Sequence, residues 1–321
     1  MNEKIEKESF NAVVMRSTGS WYTLRNTDGE LLEARIKGKF RMQGIKTTNP
    51  IAVGDNVKYR LEDDDMATIY EIENRENYVI RKSVNLSKQA QIIAANVDFA
   101  LLIVTMAHPS TTTGFIDRFL VMTEAYRIPV VIVFNKIDLL SEEEFEILAE
   151  RIQIYDSIGY KCVISSALEG DGVPELKEML KDKMVMLSGH SGAGKSSIIN
   201  AIDPEIDARV GTISESHFKG KHTTTFAEMF PLSFGGDVID TPGVKGFGLV
   251  DIEQEELHHY FPEYMQLLPN CKFHNCKHID EPKCAVKDSL ETGETSESRY
   301  KSYLSMYYGD EDVHYRQAEY R

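Results

Sequence analysis

Along residues 10–80, apolar and polar positions alternate in short runs: AVVMRS, WYTLRN, LLEARIKG, VKYRL and ATIYEIENR. Asp28-Gly29 and Gly54-Asp55 punctuate these runs. Alternation with period two predicts half-buried strands, and the dipeptides predict the reversals between them. No helical period is visible there. Length and spacing fit a small five-stranded barrel of the oligonucleotide/oligosaccharide-binding (OB) type over residues 1–80.

The texture changes from about residue 90. Apolar runs at 97–106, 130–134, 161–165 and 183–187 alternate with helical periods near 113–126, 141–158 and 173–181. This βαβ alternation predicts a mostly parallel α/β sheet with helices on both faces, over residues 81–250. Residues 202–225 lose all periodicity, and a mobile loop is expected there. AEMFPLSF and DVID resume the strand pattern. Within the remainder, 251–321, IEQEELHHYF and SESRYKSYLSMYY read as helices, whereas the polar tail GDEDVHYRQAEYR is expected to be poorly ordered.

Composition narrows the class. The 321 residues suffice for two or three cores, and a hydrophobic fraction of 42% is ordinary for a globular protein. The start, MNEKIEKESF, has no apolar segment of the secretory type, and the longest apolar runs are too short to span a bilayer. A cytoplasmic protein without membrane contact is expected. A net charge of −15 excludes a protein that coats nucleic acid non-specifically. Yet residues 34–54 hold Arg35, Lys37, Lys39, Arg41 and Lys46 with no acid, a local basic strip compatible with a positioned contact to RNA.

Four short motifs carry chemistry. Gly189, His190, Ser191, Gly192, Ala193, Gly194, Lys195, Ser196 and Ser197 match G-x-x-x-x-G-K-[ST] and its following residue, between a strand and a helix. In such a loop backbone N–H groups cradle phosphates, Lys195 reaches the β- and γ-phosphates, and Ser196 ligates Mg²⁺. Asn135, Lys136, Ile137 and Asp138 follow the buried run VVIVF, so they lie at a strand's carboxyl end, where α/β sheets bind ligands. The Asp138 carboxylate could accept from both the ring N–H and the exocyclic amine of guanine, a donor pair that adenine lacks. Asn135 would brace the loop, and the Lys136 stem could lie along the base. Ser165-Ser166-Ala167 ends the next strand, and the Ala167 N–H could point at the guanine oxygen. Asp240-Thr241-Pro242-Gly243 fits D-x-x-G, with Asp240 on Mg²⁺ through water and the Gly243 N–H sensing the γ-phosphate. One hydroxyl among Thr223, Thr224 and Thr225 could complete the Mg²⁺ shell.

Cys271, Cys276, His278 and Cys284 then form C-x₄-C-x-H-x₅-C. Three thiolates and an imidazole make a closed tetrahedral set of the kind structural zinc takes. His274 lies close enough to compete with His278, and buried free thiols are the alternative reading. Cys162 reads as core.

The order is unusual. The base reader begins 54 residues before the phosphate loop, whereas GTP-binding proteins ordinarily place it after. The succession NKID, SSA, GHSGAGKSS, TTT, DTPG resembles that of circularly permuted GTPases. With a barrel before it and the cysteine cluster behind it, essentially the whole chain resembles the RsgA-type small-subunit ribosome assembly GTPases. The resemblance implies GTP hydrolysis to GDP and phosphate, stimulated by the small ribosomal subunit, and a role late in that subunit's maturation. It also implies contact with rRNA, and a monomer is expected. One position departs: some members carry a histidine shortly after D-x-P-G, but GVKGFGLVDIEQ has none and places Asp251 there. Val244 stands where many GTPases have a water-orienting glutamine. The remaining alternatives are a P-loop ATPase or kinase with NKID accidental, an RNA-binding zinc protein using guanine nucleotide as a non-catalytic switch, and a permuted GTPase that serves the large subunit.

Overall fold

The computed structural model describes residues 8–36, 50–62, 66–82, 90–206, 227–241 and 252–309. Five strands build the first unit: β1 (Phe10–Ser17), β2 (Tyr22–Asn26), β3 (Leu31–Ile36), β4 (Asn56–Leu61) and β5 (Ala67–Ile72). β1 pairs antiparallel with both β2 and β4, β3 pairs parallel with β5, and β5 returns to β4, so the ring closes. The five-strand barrel expected from the alternation is present. Its interior is filled by Val14, Tyr22, Leu24, Ala34, Val57, Tyr59 and Ile69, the inward members of the period-two pattern. Ion-paired Arg75 braces one end, its Nε and Nη2 each 2.6 Å from the buried Asp55 carboxylate.

A two-stranded ribbon absent from the sequence reading follows: β6 (Tyr78–Lys82) against β7 (Ala90–Ala95). The run AQIIAAN is short and apolar on both sides, so periodicity does not separate it from the strand behind it.

The central sheet comprises β8 (Phe99–Thr105), β9 (Val130–Asn135), β10 (Lys161–Ser165), β11 (Met184–Gly189), β12 (Glu228–Pro231) and β13 (Asp237–Asp240). Their order is β10-β9-β8-β11-β13-β12, parallel except for β12. Helices α1 (Thr113–Ala125) and α2 (Glu142–Ser157) cover one face, where Phe115, Leu120, Leu148 and Tyr155 meet Ala100, Leu102 and Val104 of β8. Helices α3 (Val173–Leu180) and α4 (Lys195–Ile202) cover the other, where Leu176, Ile198 and Ile199 meet Leu101 and Ile103. One strand thus feeds both cores, which is why its sequence FALLIVT is apolar up to its last residue, Thr105. The barrel adjoins the far side of this sheet: Arg16 of β1 pairs with Glu228 of β12, and the Arg25 guanidinium grips Asp237 at 2.6 and 2.7 Å.

Residues 252–309 fold against α1. A 3-10 turn (Leu257–Tyr260) leads to α5 (Pro262–Leu267), and α6 (Ala285–Thr292) and α7 (Glu297–Tyr308) follow the cysteine cluster. The segment IEQEELHHYF is therefore a turn and a 3-10 turn, not the expected helix. The regular helix starts one residue beyond it because Pro262 occupies the first helical turn, where its fixed φ and missing N–H are no handicap. SESRYKSYLSMYY is helical as expected. Val121 of α1 shares one core with Leu257, Phe261, Tyr264, Cys276, Cys284 and Tyr303.

Beneath that core lies a buried charge cluster. Arg299 of α7 donates to Glu263 through Nε (2.9 Å) and Nη2 (3.1 Å), and to Asp117 of α1 through Nη1 (2.9 Å). Tyr155 of α2 donates to the same Asp117 oxygen at 3.0 Å, and the guanidinium lies over the Phe261 ring. No helix among the described residues is long and apolar enough to cross a membrane.

Candidate functional site

The parallel register brings the motifs together. Thr105, Asn135 and Ser165 are aligned at the carboxyl ends of β8, β9 and β10, while Gly189 of β11 is level with Ile103. Each motif therefore emerges from the same edge of the sheet, where strand carbonyls end and loops converge.

The base-reading and phosphate motifs touch through Asn135. Its Nδ2 donates to the Ala193 carbonyl at 2.9 Å, and its Oδ1 accepts from the Ala167 N–H at 3.3 Å. One buried carboxamide thus joins NKID, SSA and the glycine loop. The Ala167 N–H, expected at the guanine oxygen, is here engaged by Asn135. Gly194 sits against the same carboxamide: φ is +94°, and a Cβ there would stand 2.3 Å from Asn135 Nδ2. Only glycine suits that position.

Lys136 adopts a left-handed conformation, φ 66°, which swings its side chain across to the loop after β8. There its ammonium donates to the His108 carbonyl at 2.5 Å. Ser166 Oγ donates to Asp138 Oδ1, also at 2.5 Å, fixing the carboxylate beside the SSA turn. Ile137 begins the 3-10 turn Ile137–Leu139 that carries Asp138.

In the phosphate loop, Ala193 is buried while Ser191, Gly192, Ser196 and Ser197 are exposed. Lys195 folds back so that Nζ donates to the carbonyls of Gly189 and His190, both at 2.8 Å. Burial pulls its pKa below the ordinary lysine value, and the Asp240 carboxylate opposes that fall. Asp240 is level with Leu187 in the β11–β13 register, so its charge lies beside the strand that opens into the loop. Thr241 donates to the Leu187 carbonyl at 3.1 Å. Gly243, Thr223, Thr224, Thr225, Val244 and Asp251, and most of the loop expected to be mobile, lie outside the described residues. So do Lys37, Lys39, Arg41 and Lys46 of the basic strip.

Sequence reasoning passed over the loop after β8. Pro109 lies against Gly192, where an added Cβ would meet Pro109 Cδ at 3.2 Å, and the Phe115 ring lies 3.7 Å from the His190 ring. No motif marks HPSTTTGF. The available signal was topological: every loop at the carboxyl edge of such a sheet borders its site.

The second site lies in the C-terminal unit. One ligand atom from each of Cys271, Cys276, His278 and Cys284 falls within 4.8 Å of the others. His278 Nδ1 stands 3.3 Å from Cys284 Sγ and 3.7 Å from Cys271 Sγ. Tetrahedral zinc sets a nitrogen and a sulfur ligand about 3.5–3.6 Å apart, between the two observed separations, so the donor set fits the ion in chemistry and spacing. His274 is exposed and lies outside this group. The loop is held from α7: Tyr300 donates to the His278 carbonyl (2.8 Å) and Tyr303 to the Lys277 carbonyl (2.6 Å). Burial lowers the His278 pKa to about 4 and raises the Cys276 thiol to about 12. The imidazole is therefore neutral at pH 7, while the thiols must give up protons to bind a metal. Cys162 packs at the edge of the core, as expected, with burial raising its thiol to about 12.

Comparison with known proteins agrees with this arrangement. The model of the RsgA GTPase family matches residues 72–250, and that of the RsgA N-terminal domain matches residues 12–69. A relative from Flavobacterium psychrophilum, named small ribosomal subunit biogenesis GTPase RsgA, is 54% identical over 94% of this chain and 94% of its own. The crystal structure of YjeQ from Thermotoga maritima superposes with a TM-score of 0.77 at 37% identity, covering 94% of this chain and 98% of its own. YloQ, described as a circularly permuted GTPase, gives 0.73 at 29% identity, covering 97% and 98%. The two family models together span the barrel and the base-reading and phosphate-binding motifs, and the chain belongs to the RsgA GTPase family.

Proposed function

We propose that this chain hydrolyses GTP to GDP and phosphate, and that it does so late in maturation of the small ribosomal subunit. The observation that carries the first half is Asn135, whose carboxamide ties the base reader, the SSA turn and the phosphate loop into one site. The second half rests on relatives that carry the small-subunit name over nearly the whole length of this chain.

In this reading Asp138 accepts from guanine, and Ser166, by holding one carboxylate oxygen, sets the direction of the other. Asn135 and Lys136 keep the base loop rigid, with Ile137 turning the chain between them and Asp138. Backbone N–H groups of residues 189–197 receive the phosphates. Lys195 exchanges one of its carbonyl contacts for a β/γ-bridging position as its charge meets theirs. Ser196, Asp240 and a hydroxyl of Thr224 or Thr225 would hold Mg²⁺, which when bound neutralises charge developing on the phosphates. Gly243 senses the γ-phosphate. Val244 follows DTPG where a water-orienting glutamine is common, and the subunit supplies or orders the group that orients the attacking water. Cys271, Cys276, His278 and Cys284 hold a structural zinc ion.

The units 1–80, 81–250 and 251–321 take rRNA contact, nucleotide and subunit contact respectively, in a cytoplasmic monomer. Arg35, on β3, is the described member of the basic strip. The test is GTP turnover by the purified protein alone, with small subunits, and with large subunits as control. Stimulation by small subunits only is expected; equal turnover in all three would refute the assignment.

A further inference from the structure

The glycine-rich loop is restrained at three of its positions by side chains from outside it. The His190 ring lies against Phe115, with centroids 3.7 Å apart and planes tilted by 32°. Gly192 abuts Pro109, and the Ala193 carbonyl accepts from Asn135. Asn135 belongs to a recognised motif; Pro109 and Phe115 do not.

The segment that carries these two residues is itself fixed. Thr111 N–H donates to the Thr105 carbonyl (2.8 Å), Thr111 Oγ1 accepts from the Thr105 N–H (3.1 Å), and Thr105 Oγ1 donates to the Pro109 carbonyl. Arg151 of α2 donates to the Thr111 carbonyl at 3.1 Å. Thr112 caps α1 by accepting from the Phe115 N–H at 3.2 Å, so Phe115 projects from the first turn of a capped helix. Lys136 reaches the same segment at the His108 carbonyl. Residues 108–115 therefore contact the base-reading loop at one end and the phosphate loop at two points.

A loop with glycine at 189, 192 and 194 has many conformations, and only those with N–H groups turned inward receive phosphate. Binding must select these, and the selection weakens apparent affinity unless the loop is already held in place. We propose that Phe115 and Pro109 are positioning residues for the guanine nucleotide. Phe115 acts through the His190 ring to keep the phosphate loop in its receiving shape. The inference rests on the nucleotide site proposed above and adds two residues that none of its motifs contains.

The experiment is a double-mutant cycle on the full chain, read by titration with fluorescent GDP and by thermal unfolding without nucleotide. His190→Ala removes the ring but keeps the backbone N–H groups; because His190 is only half-buried, this variant should fold. Phe115→Leu keeps an apolar side chain in the core and removes the opposing ring. An aromatic pair of this kind corresponds to about two- to twelvefold in affinity. Each single variant should lose that much, the double variant no more than the worse single, and His190→Tyr should restore binding by restoring the stack. Additive losses, unchanged affinity in His190→Ala, or failure of His190→Tyr to rescue would overturn the proposal. A wild-type protein that does not prefer GDP to ADP would instead overturn the guanine reading itself, before any variant is compared.

Discussion

Asn135 and Asp138 stand three residues apart and do different work. Asn135 is buried and uses both ends of its carboxamide within the protein, on Ala193 and Ala167. Asp138 has one oxygen on Ser166 Oγ. Their substitutions should therefore separate. Asp138→Asn exchanges an acceptor for a donor at the base, and should move preference from guanine to xanthine nucleotides by at least about a hundredfold, measured by competition binding. Asn135→Ala leaves a buried carbonyl and N–H unpaired, and should weaken both nucleotide classes alike while costing about 1–3 kcal/mol in stability. A base-selective loss in Asn135→Ala would contradict the bracing role. These residues were legible in the sequence because N-K-x-D, S-S-A and G-x-x-x-x-G-K-[ST] are each contiguous. The carboxamide that joins them was not, since its partner Ala193 lies 58 positions away.

At the level of elements, α1 is the wall between the nucleotide site and the C-terminal unit. Its first turn offers Phe115 to the phosphate loop, Asp117 binds Arg299, and Val121 enters the core beside the cysteine cluster. Arg299 is almost wholly buried, with Asp117 and Glu263 both in contact. Removing one partner of a buried ionic cluster strands the others in a poor solvent for charge. Arg299→Met should therefore destabilise the fold by about 3–5 kcal/mol in denaturant unfolding, and Arg299→Lys should recover little because it cannot span both carboxylates with a planar fork. No sequence signal pointed to this cluster: Arg299 is 182 positions from Asp117, and a charged residue on a helix reads as solvated until its neighbours are known. Helices α1, α2, α3 and α7 were legible from their period, but the short α5 and α6 were not, and IEQEELHHYF misled; the Ser141–Glu144 capping box that opens α2 was a further local signal. His274 and His278 were indistinguishable by spacing; the buried cluster and the tyrosines of α7 separate them.

For the whole molecule, the cysteine cluster and the α1-facing core are the same body, because Cys276 and Cys284 are members of that core. Stripping metal with a chelator should expose α5, α6 and α7 to hydrogen exchange while β8, β9, β10 and β11 stay protected. Loss of protection throughout the sheet would contradict that division. The pH dependence has a definite sign. The Cys276 thiol is raised to about 12 and Cys284 is raised as well, both by burial, so the metal-free site binds protons in preference to releasing them. Metal binding expels those protons, so affinity should fall as pH falls, and a chromophoric chelator should capture more metal at pH 5.5 than at pH 7.5. The three-part plan and the α/β class were readable from changes of period along the chain. The adjoining of barrel and sheet through Arg25 and Asp237 was not, for it depends on residues 212 positions apart.

The strand order β10-β9-β8-β11-β13-β12 also bears on how such a chain is made. Synthesis delivers β8 first, then β9 and β10, each added outward on one flank. β11 joins the other flank of β8, and β12 and β13 follow beyond it as an antiparallel pair. Up to β11 no strand has to enter between two made earlier, so the sheet can grow from its middle as the polypeptide leaves the ribosome; β13, made last, then takes the place between β11 and β12. A nascent chain halted after the SSA turn would already display the guanine reader on three joined strands. Its grip on phosphate would arrive only with β11, so nucleotide capture itself marks the moment at which the sheet is nearly finished.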